Sequence, residues 1–139
     1  MAQFIGKWIE DGNSITNYDE FCRGMGMSDD MIDQHRGSTS VLEYEQDGDN
    51  WTLKMTYSGL PTKIFKFQPG KEFETKGYYD DVMKLMVTFE SDSKCVVVEK
   101  CEMMDYKPFT TTREIKGDLM LTTVELESGV KMTSEFKRG

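Results

Sequence analysis

The chain has 139 residues, of which 30% are charged, 37% hydrophobic and 12% aromatic, and its formal net charge is −8. This length predicts one domain, residues 1–139, large enough to enclose a core or a cavity, and the aromatic content argues against a disordered protein. The excess of negative charge, with basic residues scattered singly among acidic ones, argues against nucleic acid as a partner, because phosphate backbones would be repelled.

The chain begins with a predicted strand over residues 4–10, followed by a segment that predicts two short helices. Residues 17–24 and 28–37 start with the N-cap candidates Asn17 and Ser28, and acidic residues follow in each first turn. A DNA-reading helix-turn-helix would need basic residues on its second helix, whereas this one opens with two aspartates. A helical pair inserted after the first strand of an otherwise all-β chain predicts a cap over one mouth of a barrel.

Strands dominate the rest of the chain. Runs rich in Val, Thr, Phe, Tyr and Met alternate with turn-forming clusters at intervals of roughly eight to twelve residues, which is typical of an antiparallel meander. The predicted strands span 39–46, 51–57, 63–67, 72–76, 83–89, 94–101, 109–115, 119–126 and 130–136. Alternating apolar residues in several of them indicate that one face of the sheet avoids water. We therefore predict an all-β fold, a ten-stranded antiparallel up-and-down barrel. Closure removes exposed edges and favours a barrel over a sandwich, although periodicity alone does not separate the two.

The cysteines and the N-terminus bear on the cellular compartment of the protein. Cys22, Cys95 and Cys101 show no C-x-x-C spacing, which favours reduced thiols in the cytosol over a disulfide framework or a zinc site. The N-terminus has no apolar segment of signal-peptide length. We expect a cytoplasmic protein with no cofactor and no bound metal.

Three stretches of the sequence carry a resemblance to a known family. The first is Phe-Ile-Gly-Lys-Trp at 4–8 with Asn-Tyr-Asp-Glu-Phe at 17–21, the second is Phe-Gln-Pro-Gly-Lys-Glu-Phe at 67–73, and the third is Thr-Thr-Thr-Arg-Glu-Ile at 110–115 with the hairpin over 117–121. Together they resemble the intracellular fatty-acid-binding protein family, which includes the cellular retinoid-binding proteins, over essentially the whole chain. The resemblance implies a flattened ten-stranded barrel that holds a lipid in an interior cavity under a two-helix lid.

The resemblance also implies where a head group is bound. Family members usually hold a fatty-acid carboxylate with two arginines and a tyrosine, and the first arginine matches Arg113. Where the family has an R-x-Y motif, this chain has Ser134, Glu135 and Phe136, so two of the three anchoring groups are absent. If Arg113 points inward, its guanidinium needs an anion or water, and Ser134 could donate its hydroxyl to the head group. The same alignment places Glu99 in the cavity, and we hypothesise that it interacts with Arg113, directly or through water, and weakens selection for free fatty acids.

The alternative to a cavity role for Arg113 and Glu99 is that both side chains point outward from their strands into solvent.

The resemblance also implies an entry portal for the ligand, which matches Tyr18, Leu60 and either Tyr78 or Tyr79. The alternative is that these are ordinary cap and turn residues. Methionines predict an adaptable lining, although Met is also an ordinary core residue. The predicted ligand-binding residues are Arg113, Ser134, Phe136, Glu99, Tyr18, Leu60, Tyr79 and Met132.

These observations predict a non-enzymatic carrier, a monomer, that reversibly binds one long-chain fatty acid. A carrier of a neutral hydrophobe such as a retinoid or another lipid is the alternative, favoured by the missing R-x-Y motif. An enzyme would need a base and an electrophile in the cavity, for which Glu99 and Tyr57 are the candidates. A barrel that has lost its ligand and works at membrane surfaces is disfavoured by the acidic balance, while transient membrane contact stays open.

Overall fold

The computed structural model describes residues 2–77 and 80–139, and these contain ten strands and two α-helices in the predicted order. The helices are α1 (Tyr18–Gly24) and α2 (Asp29–His35). The strands are β1 (Gly6–Glu10), β2 (Ser40–Asp47), β3 (Asn50–Tyr57), β4 (Lys63–Phe67), β5 (Phe73–Lys76), β6 (Val82–Ser91), β7 (Lys94–Cys101), β8 (Phe109–Lys116), β9 (Leu119–Leu126) and β10 (Lys131–Arg138). Each agrees with its predicted bounds to within two residues at either end.

All ten strands form one antiparallel sheet in the order β4-β3-β2-β1-β10-β9-β8-β7-β6-β5. Because β1 pairs with both β2 and β10, the start and the end of the chain meet and the meander curls into a barrel. The edge strands β4 and β5 are not paired with each other within the described residues. At one end of this gap Phe67 and Phe73 stack with ring centroids 6.0 Å apart. The predicted barrel is confirmed, with a narrow opening between its two edge strands.

One end of the barrel is filled by aromatic side chains. Phe4 packs against Tyr44 and Phe89 with ring centroids 5.8 and 5.4 Å apart, and Trp51 lies 4.7 Å from Phe89. Trp8 is fully buried among them and donates its indole N–H to the Phe4 carbonyl oxygen at 3.1 Å. This packing leaves the hollow part of the barrel at the other end, beneath the helices.

The helical pair is attached to the barrel by specific contacts. Ser28 caps α2 as predicted, accepting a hydrogen bond from the Met31 N–H at 3.2 Å. Asn17 occupies the N-cap position of α1, but it makes no cap hydrogen bond and donates instead to the Lys131 carbonyl oxygen at 2.8 Å. The predicted capping role of Asn17 is therefore wrong, because its side chain is used to join α1 to β10.

Close packing and ion pairs hold α1 in place. A Cβ atom at Gly24 would lie 2.5 Å from Cδ1 of Leu126, so glycine allows the helix to approach β9. Arg36, which follows α2, pairs with Asp19 of α1 at 2.5 Å and with Asp33 at 3.0 Å.

None of the helices within residues 2–77 and 80–139 combines the length and the apolar character that a membrane-spanning helix requires.

Candidate ligand-binding cavity

The barrel encloses two adjoining chambers. The gap chamber, with a volume of about 320 Å³, lies beside β4 and β5 and is lined mostly by apolar side chains such as Phe65, Phe73 and Leu85. The lid chamber, of about 350 Å³, lies under α1 and α2. Both chambers share the lining residues Phe21, Met25, Met55, Met103, Arg113 and Val124. The interior is therefore a hollow, mainly apolar space with an arginine where its two parts meet.

Arg113 lies on β8, and the alternation of that strand turns its side chain inward. Its Nη1 donates to Oγ1 of Thr122 at 3.2 Å, and its guanidinium carbon lies 5.7 Å from the ring centroid of Phe136. Its Nε is buried, and no group of the described residues accepts a hydrogen bond from it. A buried donor without a partner costs about 1–3 kcal/mol. The Arg113 side chain lines both chambers, so its guanidinium can donate to a ligand where they meet.

Glu10 is the functional candidate that the sequence reasoning missed. Its Oε2 accepts a hydrogen bond from Oγ of Ser134 at 2.7 Å, and its Oε1 accepts from the Ser40 N–H at 3.0 Å. Its side chain lines the lid chamber. A signal existed in the sequence, because Trp8 points inward and a residue two positions later on the same strand shares its face.

The Ser134 hydroxyl therefore has a different role from the one that the sequence predicted, which was to donate to a head group. Ser134 lines the lid chamber, but its hydroxyl donates to Glu10 and not to a head group in the cavity. A serine hydroxyl has only one donor. In this arrangement Ser134 can offer a ligand only its lone pairs.

Four neighbouring strands each contribute one inward polar residue, and together these form what we call the polar arc: Glu10, Ser134, Thr122 and Arg113. Ser134 is the register partner of Thr122, and Thr122 is the register partner of Arg113. The two ends of the arc are closed by the hydrogen bonds from Ser134 to Glu10 and from Arg113 to Thr122. The polar arc places a carboxylate and a guanidinium on one wall of the lid chamber, whose lining also includes the polar residues His35, Ser38, Ser40 and Tyr57.

Glu99 lines the gap chamber on β7, which agrees with its predicted inward orientation. Burial raises the pKa of its carboxyl group to about 7, and the positive charge of Arg113 opposes this rise. The direct contact in our hypothesis is absent, since no ion pair joins the two residues in the described part of the chain. Glu99 is the register partner of Phe109, four positions along β8 from Arg113, or about 13 Å of strand. The two charges interact across the chamber without touching.

Two of the predicted portal residues lie at the lid chamber. Tyr18 and Leu60 both line it, and the Tyr18 hydroxyl donates to the Ile32 carbonyl oxygen at 2.8 Å, which ties α1 to α2. Met132 and Phe136 line the same chamber. Tyr79, like Tyr78, lies outside the described residues.

The arrangement fits binding better than catalysis. Tyr57 lines the lid chamber and Glu99 the gap chamber, so the two candidates for an acid–base pair do not line a common wall. No cluster of three or more potential ligands for a metal ion occurs in 2–77 and 80–139. What the cavity offers is a large apolar surface with a few fixed polar groups, which is the usual character of a small-molecule site.

Comparisons with known proteins agree with this geometry. The chain is similar to fatty acid-binding protein type 2 of Fasciola hepatica, with 32% identity over 127 residues and 89% of each chain covered, and to gastrotropin of Oryctolagus cuniculus, with 33% identity and 97% of each covered. A solved Schistosoma mansoni fatty acid binding protein in complex with arachidonic acid superposes with a TM-score of 0.87 at 25% identity, covering 100% of this chain and 98% of that one. The model of the lipocalin / cytosolic fatty-acid binding protein family matches residues 1–133. The chain belongs to the lipocalin / cytosolic fatty-acid binding protein family.

Proposed function

We propose that this chain forms a single lipid-binding domain and acts as a non-enzymatic carrier that reversibly holds one long-chain fatty acid or similar acyl lipid. The observation that carries the proposal is the mainly apolar cavity with the half-buried guanidinium of Arg113 where its two chambers meet. Each buried methylene contributes about 0.8 kcal/mol, so a long acyl chain supplies most of the affinity. The guanidinium of Arg113 then fixes the position of the head group.

The two chambers divide these tasks. The gap chamber, with Phe65, Phe73 and Leu85 in its walls, suits the acyl chain. Arg113 lines both chambers, so a head group at their junction reaches it from either side. Tyr18, at the start of α1, and Leu60 line the lid chamber, and we expect a ligand to pass on this side.

The charge of the helical pair bears on how a ligand is delivered. The helical segment carries two arginines, Arg23 and Arg36, and a larger number of acidic residues. The acidic residues are Asp19, Glu20, Asp29, Asp30 and Asp33. A negative surface is repelled by anionic lipid head groups. We therefore expect contact with membranes to be at most transient. The proposal also includes a monomeric state and a cytoplasmic location.

Extraction of the purified protein tests the proposal directly. Organic-solvent extraction followed by mass spectrometry is expected to release acyl lipid, and the delipidated protein should then bind a fluorescent fatty acid saturably with a stoichiometry near one. Release of no lipid together with no saturable uptake would contradict carriage.

A matched pair of variants locates binding in the cavity. Met55 lines both chambers, whereas its neighbour Thr56 is exposed on the outer face of the same strand. Met55→Trp fills the cavity and should lower the stoichiometry or the affinity, while Thr56→Trp should leave both unchanged. Circular dichroism of the two variants checks that each is folded.

A further inference from the structure

The head-group region contains one positive and one negative group at opposite ends of the polar arc. A site built only for a carboxylate would surround the ligand with donors and positive charge. Here Glu10 shares the lid chamber with Arg113. A fatty-acid carboxylate bound to Arg113 therefore also meets the like charge of a protein carboxylate.

Both ends of the arc have hydrogen-bonding capacity left over. A carboxylate offers about four acceptor positions, and Glu10 uses two of them, for Ser134 and for the Ser40 N–H. Arg113 has five N–H donors, of which only Nη1 donates to a side chain of the described residues, Thr122, and the Arg113 side chain lines both chambers. The wall thus presents a free donor and a free acceptor, separated by the hydroxyl-bearing side chains of Thr122 and Ser134.

We infer that Glu10 is a specificity-determining residue that makes the cavity accept neutral acyl lipids whose head group carries a carbonyl beside a hydroxyl or amide N–H. The carbonyl oxygen accepts from Arg113, and the hydroxyl or amide donates to Glu10. Mono-acylglycerols and N-acyl amides have this chemistry, whereas a free carboxylate has acceptors only. The inference rests on the proposed lipid carriage and specifies the head group that such a carrier prefers.

Glu10 also disfavours ligands with other head groups. Specificity needs a cost for the wrong ligand as well as a gain for the right one. A carboxylate leaves the free acceptor positions of Glu10 unused and adds a second negative charge. A simple ester satisfies Arg113 but has no donor for Glu10, so it lacks the second contact.

Three ligands that share the same acyl chain but differ in head group separate the contribution of the hydrogen bond to Glu10 from that of the charge. Oleate, methyl oleate and oleoyl ethanolamide are titrated at pH 8 against delipidated protein loaded with Nile red, an uncharged fluorescent probe. We expect oleoyl ethanolamide to bind about tenfold more tightly than methyl oleate, the effect of one hydrogen bond to a charged group. It should also bind more tightly than oleate.

Variants assign the preference to Glu10. Glu10→Gln removes the charge and keeps a neutral acceptor, so oleate should gain about tenfold while oleoyl ethanolamide loses no more than about fivefold. The double variant Glu10→Leu with Ser134→Ala removes both hydrogen-bonding partners and should abolish the advantage of oleoyl ethanolamide over methyl oleate. Glu127→Gln, an exposed carboxylate in the turn after β9, is the control and should leave all three affinities unchanged.

The outcomes distinguish this inference from the proposed function. If oleate binds the wild type most tightly and Glu10→Gln leaves the ligand ranking unchanged, the inference is wrong and lipid carriage stands. If none of the three ligands displaces Nile red from the folded protein, both the carriage and the inference are wrong. A ranking that Glu10→Gln shifts towards oleate supports both.

Discussion

Oγ of Ser134 donates a hydrogen bond of 2.7 Å to Oε2 of Glu10, across the seam where β10 meets β1 and the barrel closes. The two residues are 124 positions apart in the chain. Both line the lid chamber. The contact therefore joins the first and last strands and also builds one end of the head-group wall.

We expect this hydrogen bond to contribute measurably to stability. Ser134→Ala leaves the carboxylate of Glu10 with one partner fewer in a partly buried site, which should lower the free energy of unfolding by about 1–3 kcal/mol. Urea unfolding of the delipidated protein measures this change. Ser128→Ala, in the exposed turn before β10, is the control and should change the free energy by less than about 0.5 kcal/mol.

A double-mutant cycle isolates the pair from other effects of each substitution. If Glu10→Gln and Ser134→Ala are combined, the loss should be smaller than the sum of the single losses, with a coupling of about 0.5–3 kcal/mol. Strict additivity would show that the contact contributes nothing to the folded state in solution.

Glu99 should make stability depend on pH in a defined direction. Its pKa is raised by burial to about 7 in the folded protein, compared with about 4.3 for an unperturbed glutamate. Between these values the folded state binds more protons than the unfolded state, so the free energy of unfolding falls as pH rises and levels off above the folded pKa. The wild type should therefore lose on the order of 1–3 kcal/mol from this group between about pH 4.5 and pH 7.5.

The variant Glu99→Gln removes this dependence. It should be more stable than the wild type at pH 8 and close to it near pH 5, as measured by urea unfolding across the range. Other charged groups that line the same chamber, Lys63, Asp81 and Arg113, are unchanged in this comparison. Curves for wild type and variant that run parallel would show that Glu99 is not a buried titrating group.

Glu99 should also influence the binding of anions. At pH 8 its charge opposes a fatty-acid carboxylate held by Arg113, so Glu99→Gln should tighten binding of an anionic fluorescent fatty acid about three- to tenfold, as expected for charges separated by a chamber of intermediate dielectric. At pH 5.5, where Glu99 carries its proton, the difference should shrink. Equal affinities of the two proteins at pH 8 would rule out electrostatic coupling between Glu99 and the ligand.

The strand pattern was predictable because it depends on local rules, while the head-group wall depends on distant contacts. Alternation and turn residues were sufficient to predict nine strands after the helices with nearly correct ends. Asn17 has the right residue type for a cap, but the Lys131 carbonyl, which the fold brings beside it, takes its side chain. Sequence spacing alone holds no information about such a contact.

Glu10 was missing from the predicted ligand-binding residues for a different reason. Its inward direction is implied by Trp8, two positions earlier on the same strand, but the family resemblance implied no role for Glu10. Its hydrogen bond with Ser134 joins opposite ends of the chain and emerges only when β1 pairs with β10. Likewise, the separation between Arg113 and Glu99 depends on the register of β7 and β8.

Arg113 is the residue on which the carrier model depends most. Its guanidinium lies at the junction of the chambers, where Nη1 donates to Thr122. Arg113→Ala removes the charge-assisted hydrogen bond to a head group, so a fatty-acid displacement titration should show a loss of about tenfold or more. The acyl chain still gains from burial, so binding should weaken without being abolished. Lys116→Ala, an exposed position at the end of the same strand, is the matched control for the loss of one positive charge. If Arg113→Ala and Lys116→Ala bind fatty acid as tightly as the wild type, Arg113 does not contact the ligand, and the head group must lie elsewhere in the cavity.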